Sequence, residues 1–194
     1  GQLFLCVTQL RFFRDKLAMR KQAKEAGIRV PAFTGLFNYD ELREWMSRVP
    51  APWVLKPRFE AGAVGIRKLD NSEAVWRALD ELGDQQSFYL LEQFVPGDVY
   101  HVDSIIWEGQ IQFAVSSKYG VPPLAVTQGG GIFTTRILGT KTADSQTTIA
   151  TTQQLFNAFH IDSGVGHTEY IRAHADGEFY FLETAARVGG ANID

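Results

Sequence analysis

Two acid–glycine pairs do most to limit how this chain can fold. Glu108-Gly109 lies inside "VYHVDSIIWEGQIQFAVSSK" and Asp176-Gly177 inside "GHTEYIRAHADGEFYFLETA". Each pair sits between two runs rich in β-branched and aromatic residues, the pattern of a β-hairpin. Hairpins join antiparallel neighbours, whereas parallel strands need a long crossover, usually a helix. The remaining periodic segments are short helices and single strands. The chain therefore reads as α+β with mainly antiparallel sheets, not as a doubly wound parallel order.

Caps and stops place the other elements. "FFRDKLAMRKQAKEAGIRVPAF" reads as a helix ended by Gly27, followed by an extended segment to Pro31. "DELREWMSRV" (40–49) is a helix with Asp40 at its N-cap, and "NSEAVWRALDELG" one capped by Asn71 or Ser72 and stopped by Gly83. "DSQTTIATTQQLFNAF" is a fourth, rich in Thr. "PWVLKP" is a short buried strand closed by Pro57, "VGIRKL" (64–69) a strand returning from a glycine loop, and "SFYLLEQFV" (87–95) a strand ended at Pro96-Gly97. Residues 119–139, with a Pro pair and three consecutive glycines, read as a long irregular loop.

Composition excludes several function classes. At 194 residues, 45% apolar and 21% charged, the chain can bury a core as one domain or two small lobes. A net charge of −3 gives no basic footprint for nucleic acid. No apolar run reaches the roughly 20 residues of a membrane helix. Cys6 stands alone, which points to a reducing, cytoplasmic setting.

The second hairpin sets the relation of two carboxylates. A three-residue loop (Ala175, Asp176, Gly177), with glycine at the left-handed position, makes Glu169 the direct partner of Glu183. One face then carries Glu169, Ile171, Ala173, Phe179, Phe181 and Glu183, and a one-residue slip would scramble it. Two carboxylates facing each other repel. They persist if one is protonated, if cations lie between them, or if they hold a metal, for which hard oxygen pairs suit Mg²⁺. A structural alternative is neutralisation by Arg187 and another arginine.

"KPRFEAGAVGIRKL" (56–69) places Lys56 inside an apolar strand, ahead of Gly62 and Gly65. A buried ammonium needs an anion, and paired glycines let backbone N–H groups approach phosphate oxygens. The plainer reading of the glycines is an ordinary β-turn, as that of Lys16 is a solvated helix residue and that of His101 a half-exposed strand residue.

Taken in order, the lysine of "RDKLAMR", "VLKP" before a glycine loop, "EQFV", "HVD", two glutamates on a hairpin and "ETAARVGG" resemble the ATP-grasp superfamily over about residues 14–190. Within it they look like the carboxylate–amine ligase and biotin-carboxylase-like branches. The resemblance implies an ATP-grasp fold, with two α+β lobes enclosing the nucleotide. Residues 14–95 would form the first lobe, with a glycine-rich lid (56–69) and a hinge (92–95), and 96–194 the second, with a metal-binding hairpin. An N-terminal domain and a C-terminal tail usual in the family are expected to be missing, leaving an excised ATP-binding region.

The same resemblance assigns roles. Lys16 and Lys56 would be the two lysines on the ATP phosphates, with Gly62 and Gly65 in the loop above them. Glu92 would take the adenine amino group, while Gln93, Phe94 and Val95 supply hinge backbone and an apolar wall. His101 and Asp103 would lie near ribose and phosphates, Asp103 replacing a glutamate of some relatives. Glu169 and Glu183 would hold Mg²⁺, or Mn²⁺ in its place. Arg187 would stabilise the acyl phosphate or tetrahedral intermediate, and Arg136, after Gly131, would add a phosphate contact. Ala185 stands where many members carry an Asn metal ligand. The implied activity is an ATP- and Mg²⁺-dependent ligase that activates a carboxylate as an acyl phosphate for attack by an amine or thiol. Its partners would be small-molecule carboxylates and amines, with neither nucleic acid nor membrane. A biotin-carboxylase-like domain and a non-catalytic ATP-sensing domain are the alternatives. Oligomeric state is not legible.

Overall fold

The computed structural model describes residues 11–60 and 65–189. In chain order the elements are α1 (Lys16–Glu25), β1 (Phe33–Gly35), α2 (Tyr39–Arg48), β2 (Trp53–Pro57), β3 (Arg67–Leu69), α3 (Ser72–Leu82) and β4 (Tyr89–Gln93). There follow β5 (Gly97–Trp107), β6 (Gln110–Tyr119), α4 (Pro123–Gly129), β7 (Thr135–Ile137), α5 (Ala143–Ala158), β8 (Gly164–Ala173) and β9 (Phe179–Ala185). They divide into two compact units, Pro31–Val95 and the remainder. Among the described residues no helix is long and apolar enough to cross a membrane.

In the Pro31–Val95 unit an antiparallel sheet runs β1-β4-β2-β3. Strand β2 is buried along its whole length, as its near-continuous apolar run requires. Leu55 and Leu91 on one sheet face pack with Leu42 and Trp45 of α2 and Val75 and Leu79 of α3. The other face carries Val54, Lys56, Leu90 and Glu92, all buried. Helix α2 begins one residue before the expected boundary. Asn38, not Asp40, is its N-cap and accepts from the Asp40 and Glu41 amides, while Asp40 sits in the first turn and pairs with Arg43. Asn71 caps α3, and Gly83, at φ +50°, ends it.

The second unit is a five-stranded antiparallel sheet, β7-β6-β5-β8-β9. Its core joins Tyr100, Val102 and Ile106 of β5, Tyr170 and Phe181 of the second hairpin, and Phe156 and Phe159 from α5 and its C-cap. Met19 and Ala23 of α1 belong to the same core. The alternation of β5 thus buries Tyr100, Val102 and Ile106 in this core and turns His101 and Asp103 to the opposite face. Glu108 (φ +52°) and Gly109 (φ +71°) are both left-handed, as a two-residue hairpin turn of the first primed type demands. Gly166 lets α5 approach: a Cβ there would lie 2.6 Å from Phe156 Cζ.

Three features differ from the sequence reading. Helix α1, placed with residues 31–95 by the lobe division, groups with the sheet of the second unit, because Met19 and Ala23 pack into that core. The irregular 119–139 segment contains α4, which starts on Pro123 and buries Val126, and the edge strand β7. All three β7 side chains are exposed, so no hydrophobic period announces it.

The third difference is the loop of the second hairpin. Ala173 N donates to Glu178 O and Gly177 N to Ala173 O, so the loop is wider than three residues. Near the turn Arg172 faces Phe179, Ile171 faces Tyr180 and Tyr170 faces Phe181. A bulge on β9 at Leu182 then shifts the register, and Glu169 faces Glu183 as expected. The pairing is the expected one, but Phe179 and Phe181 lie on the Tyr170 face, in the core, rather than beside Glu169.

Candidate functional site

Several of the expected site residues come together within each unit: Lys56 with Glu92 in one, and His101, Asp103, Glu169, Glu183 and Lys16 in the other. In Pro31–Val95, Lys56 opposes Leu90, and Glu92 opposes Val54. That makes Lys56 and Glu92 diagonal neighbours on one face, within reach of a long side chain. They form an ion pair whose side chains are 9% and 4% exposed. The anion that a buried Lys56 requires is therefore supplied inside the chain. In the segment expected to form a hinge, Gln93 N donates to Ala32 O (2.7 Å) and Phe94 N to Pro52 O (3.0 Å), so these two amides already have partners. The Phe94 ring lies 4.4 Å from Lys68 Nζ, and Val95 is half-buried. Gly65 turns back at φ +73°, where a Cβ would press on Pro57 at 3.0 Å. Gly62 lies outside the described residues.

In the second unit the sheet face opposite the aromatic core gathers Tyr119, His101, Asp103, His167, Glu169 and Glu183. Register does this: His101 faces Glu169, Asp103 faces His167, and Glu169 faces Glu183. The two carboxylates are counter-charged from different sides. Lys16 Nζ lies 3.1 Å from Glu183 Oε2. His167 Nε2 lies 3.6 Å from Glu169 Oε1, which also accepts from Tyr119 Oη at 3.0 Å. Lys16 and His167, not Arg187, thus stand beside the acid pair. Arg187 is exposed and donates to Val188 O at 2.8 Å. Arg136 is exposed on β7, opposite Lys118.

Asp103 ties the face together. Its Oδ2 accepts from His101 Nδ1 at 2.7 Å, and its Oδ1 from His167 Nδ1 at 2.8 Å and Gly189 N at 3.1 Å. His101 is fully buried, not half-exposed, and its Nε2 meets Thr135 Oγ1 at 2.8 Å. Burial would raise the Asp103 pKa, but hydrogen bonds from His101 and His167 hold it well below the usual carboxylate range. Burial would lower His167, yet hydrogen bonds to Asp103 and Glu169 push it up to about 9. Glu169 is held down by His167 and Tyr119 against the opposing effect of burial. Burial, then the Glu169 charge, drive the Tyr119 phenol far up, so it stays a donor.

His167, Tyr119 and Thr135 were not singled out in the sequence. Strand alternation from Glu169 in "GHTEY" is the one signal for His167, two residues away on the same face. Nothing in the sequence pairs Tyr119 or Thr135 with this face, since both positions depend on sheet order.

The donor set fits a divalent cation. Glu169 and Glu183 present hard oxygens from adjacent strand positions, with side chains 18% and 26% exposed. His101, Asp103 and His167 also place one ligand atom each within 4.8 Å of one another. There, however, both Asp103 oxygens already accept imidazole N–H groups.

A family model described as an ATP-grasp domain matches residues 13–191. The chain is 30% identical over 192 residues to the L-arginine-specific L-amino acid ligase of Bacillus subtilis, which covers 94% of this chain and 45% of that protein. Among solved structures it is similar to the L-amino acid ligase from Bacillus licheniformis (TM-score 0.74, 19% identity, 96% of this chain and 43% of that one). It is also similar to the N5-carboxyaminoimidazole ribonucleotide synthetase from Thermus thermophilus (TM-score 0.76, 22% identity, 96% and 48%). The chain thus spans under half the length of these relatives.

Proposed function

Because the chain belongs to the ATP-grasp domain family, we propose that it is the nucleotide-binding part of an ATP- and Mg²⁺-dependent ligase that joins a carboxylate to an amine through an acyl phosphate. The observation that carries this reading is the facing pair Glu169 and Glu183, counter-charged by Lys16 and His167. Facing acids call for positive charge, which Lys16 and His167 supply from the chain and which a divalent cation on hard oxygens would add.

Glu169 and Glu183 would hold Mg²⁺, or Mn²⁺ in its place, which would supply charge screening for the phosphates. Within the Pro31–Val95 unit, Lys56 would meet phosphate oxygens and Glu92 would accept from the adenine amino group. Phe94 and Val95 offer the base an apolar wall. Lys16, beside Glu183, would add positive charge at the phosphates. Arg187 and Arg136, both exposed, are available to the acyl phosphate and to a phosphate oxygen. Catalysis here is positioning and charge neutralisation rather than covalent chemistry by the protein. The likeness to an L-amino acid ligase supports an amino acid over bicarbonate as the carboxylate that is activated, and an amino acid as the amine that attacks it.

Calorimetric titration of the folded chain with ATP and Mg²⁺ tests the nucleotide site, and absence of binding would overturn the reading. Phosphate release from ATP, screened against pairs of amino acids, tests the reaction class.

A further inference from the structure

We infer that His101, Asp103 and His167 form a zinc site of their own, separate from the Glu169–Glu183 pair and independent of whether the chain binds ATP. Each of the three residues places one ligand atom within 4.8 Å of the others. Two imidazoles and one carboxylate are a donor set suited to Zn²⁺ rather than Mg²⁺.

Sheet register builds the group. His101 and Asp103 alternate onto one face of β5, and His167 on β8 directly opposes Asp103. Both rings turn Nδ1 to the one carboxylate, His101 at 2.7 Å from Oδ2 and His167 at 2.8 Å from Oδ1. Both also set Nε2 against an oxygen, Thr135 Oγ1 at 2.8 Å for His101 and Glu169 Oε1 at 3.6 Å for His167. A ligating histidine is held in this way, with its outer N–H on a carboxylate or another oxygen. A neutral imidazole has one N–H for its two nitrogens. With that proton on Nε2, two Nδ1 lone pairs and a carboxylate converge, and a cation replaces the protons that otherwise bridge them. Ligands of a tetrahedral zinc ion, each at about 2.0–2.2 Å, stand about 3.4 Å apart, so the two bridged contacts open by about half an ångström.

Gly189 keeps room for the ion. A Cβ there would lie 3.1 Å from Asp103 Oδ1 and 3.2 Å from His167 Nδ1, so any other side chain would crowd that corner of the cluster. The Gly189 amide also donates to Asp103 Oδ1 at 3.1 Å, which orients the carboxylate. The side chains of His101 and His167 are 0% and 6% exposed and that of Asp103 24%. The rings therefore shield the ion, and water reaches its fourth position past the carboxylate.

The test is zinc-edge X-ray absorption and ¹⁵N NMR of the histidine rings, on the chain with one equivalent of zinc and no nucleotide. The expected result is zinc on two imidazole nitrogens, with the Nδ1 resonances of His101 and His167 shifted and their Nε2–H retained. The chain has four histidines. His160→Asn combined with His174→Asn leaves only His101 and His167, and should keep the two-imidazole spectrum. Gly189→Ala, which crowds the cluster without removing a ligand, and Asp103→Asn should each weaken zinc binding about tenfold or more. Absence of zinc binding by the parent overturns the inference. So does zinc on fewer than two imidazoles, or ring shifts at His160 or His174 in place of His101 and His167. Undiminished zinc binding by Gly189→Ala would place the ion elsewhere and overturn it as well. The parent spectra decide the question even if a variant fails to fold.

Discussion

Glu169 and Glu183 face each other across β8 and β9 because Leu182 is bulged out of the ladder between them and the Tyr170–Phe181 pair. Without that bulge the wide loop would set Leu182 opposite Glu169 and send Glu183 to the other face, toward the aromatic core. One inserted residue thus lets one hairpin serve a buried apolar face and a charged one.

Glu183→Gln tests the acid pair. The variant keeps the side-chain shape but loses the charge that Lys16 meets at 3.1 Å. The metal-free protein should lose about 1–3 kcal/mol of stability, since a charge-assisted contact of a buried lysine is weakened. The extra rise in melting temperature from Mg²⁺ added to ADP should largely vanish. Scanning fluorimetry with ADP, with and without Mg²⁺, reads both, and an unchanged Mg²⁺ increment would count against the cation site.

Lys56→Met removes the cation beside a Glu92 carboxylate whose residue is 3% exposed. Breaking a buried pair from one side costs about 3–5 kcal/mol. Denaturant unfolding should show that loss, and Lys56→Met with Glu92→Leu should recover most of it. Equal stability of the single variant and the parent would mean that the pair carries no such energy.

Gly166→Ala asks whether close packing fixes α5 on the sheet. The new methyl would sit 2.6 Å from the Cζ of Phe156, a residue with no exposed surface. Overpacking of this kind costs about 1–3 kcal/mol, to be read from urea midpoints. A neutral result would show that the ring moves freely.

Asn38→Ala removes the side chain that accepts from the Asp40 and Glu41 amides at the start of α2. A loss of about 1 kcal/mol is expected, whereas Asp40→Ala should cost less, since Asp40 is not the cap. The reverse order in thermal unfolding would restore Asp40 as the N-cap.

The sequence by itself determined whatever is written in short-range patterns. The turn pairs at Glu108-Gly109 and Asp176-Gly177 gave antiparallel sheets, and Gly27, Asn71 and Gly83 bounded helices that the structure contains. Such signals act within a few residues, through φ preferences and side-chain caps. Tertiary structure decided the rest. Edge strand β7 buries nothing, so only pairing with β6 reveals it. The Leu182 bulge answers two faces at once, and strand alternation read from one segment cannot show that. Glu92 becomes the partner of Lys56 only when β4 is laid beside β2. His167 meets Asp103 only when β8 is laid beside β5. Charges that need each other in low dielectric are joined by sheet order, a relation between segments far apart in the chain, and no local run of residues encodes it.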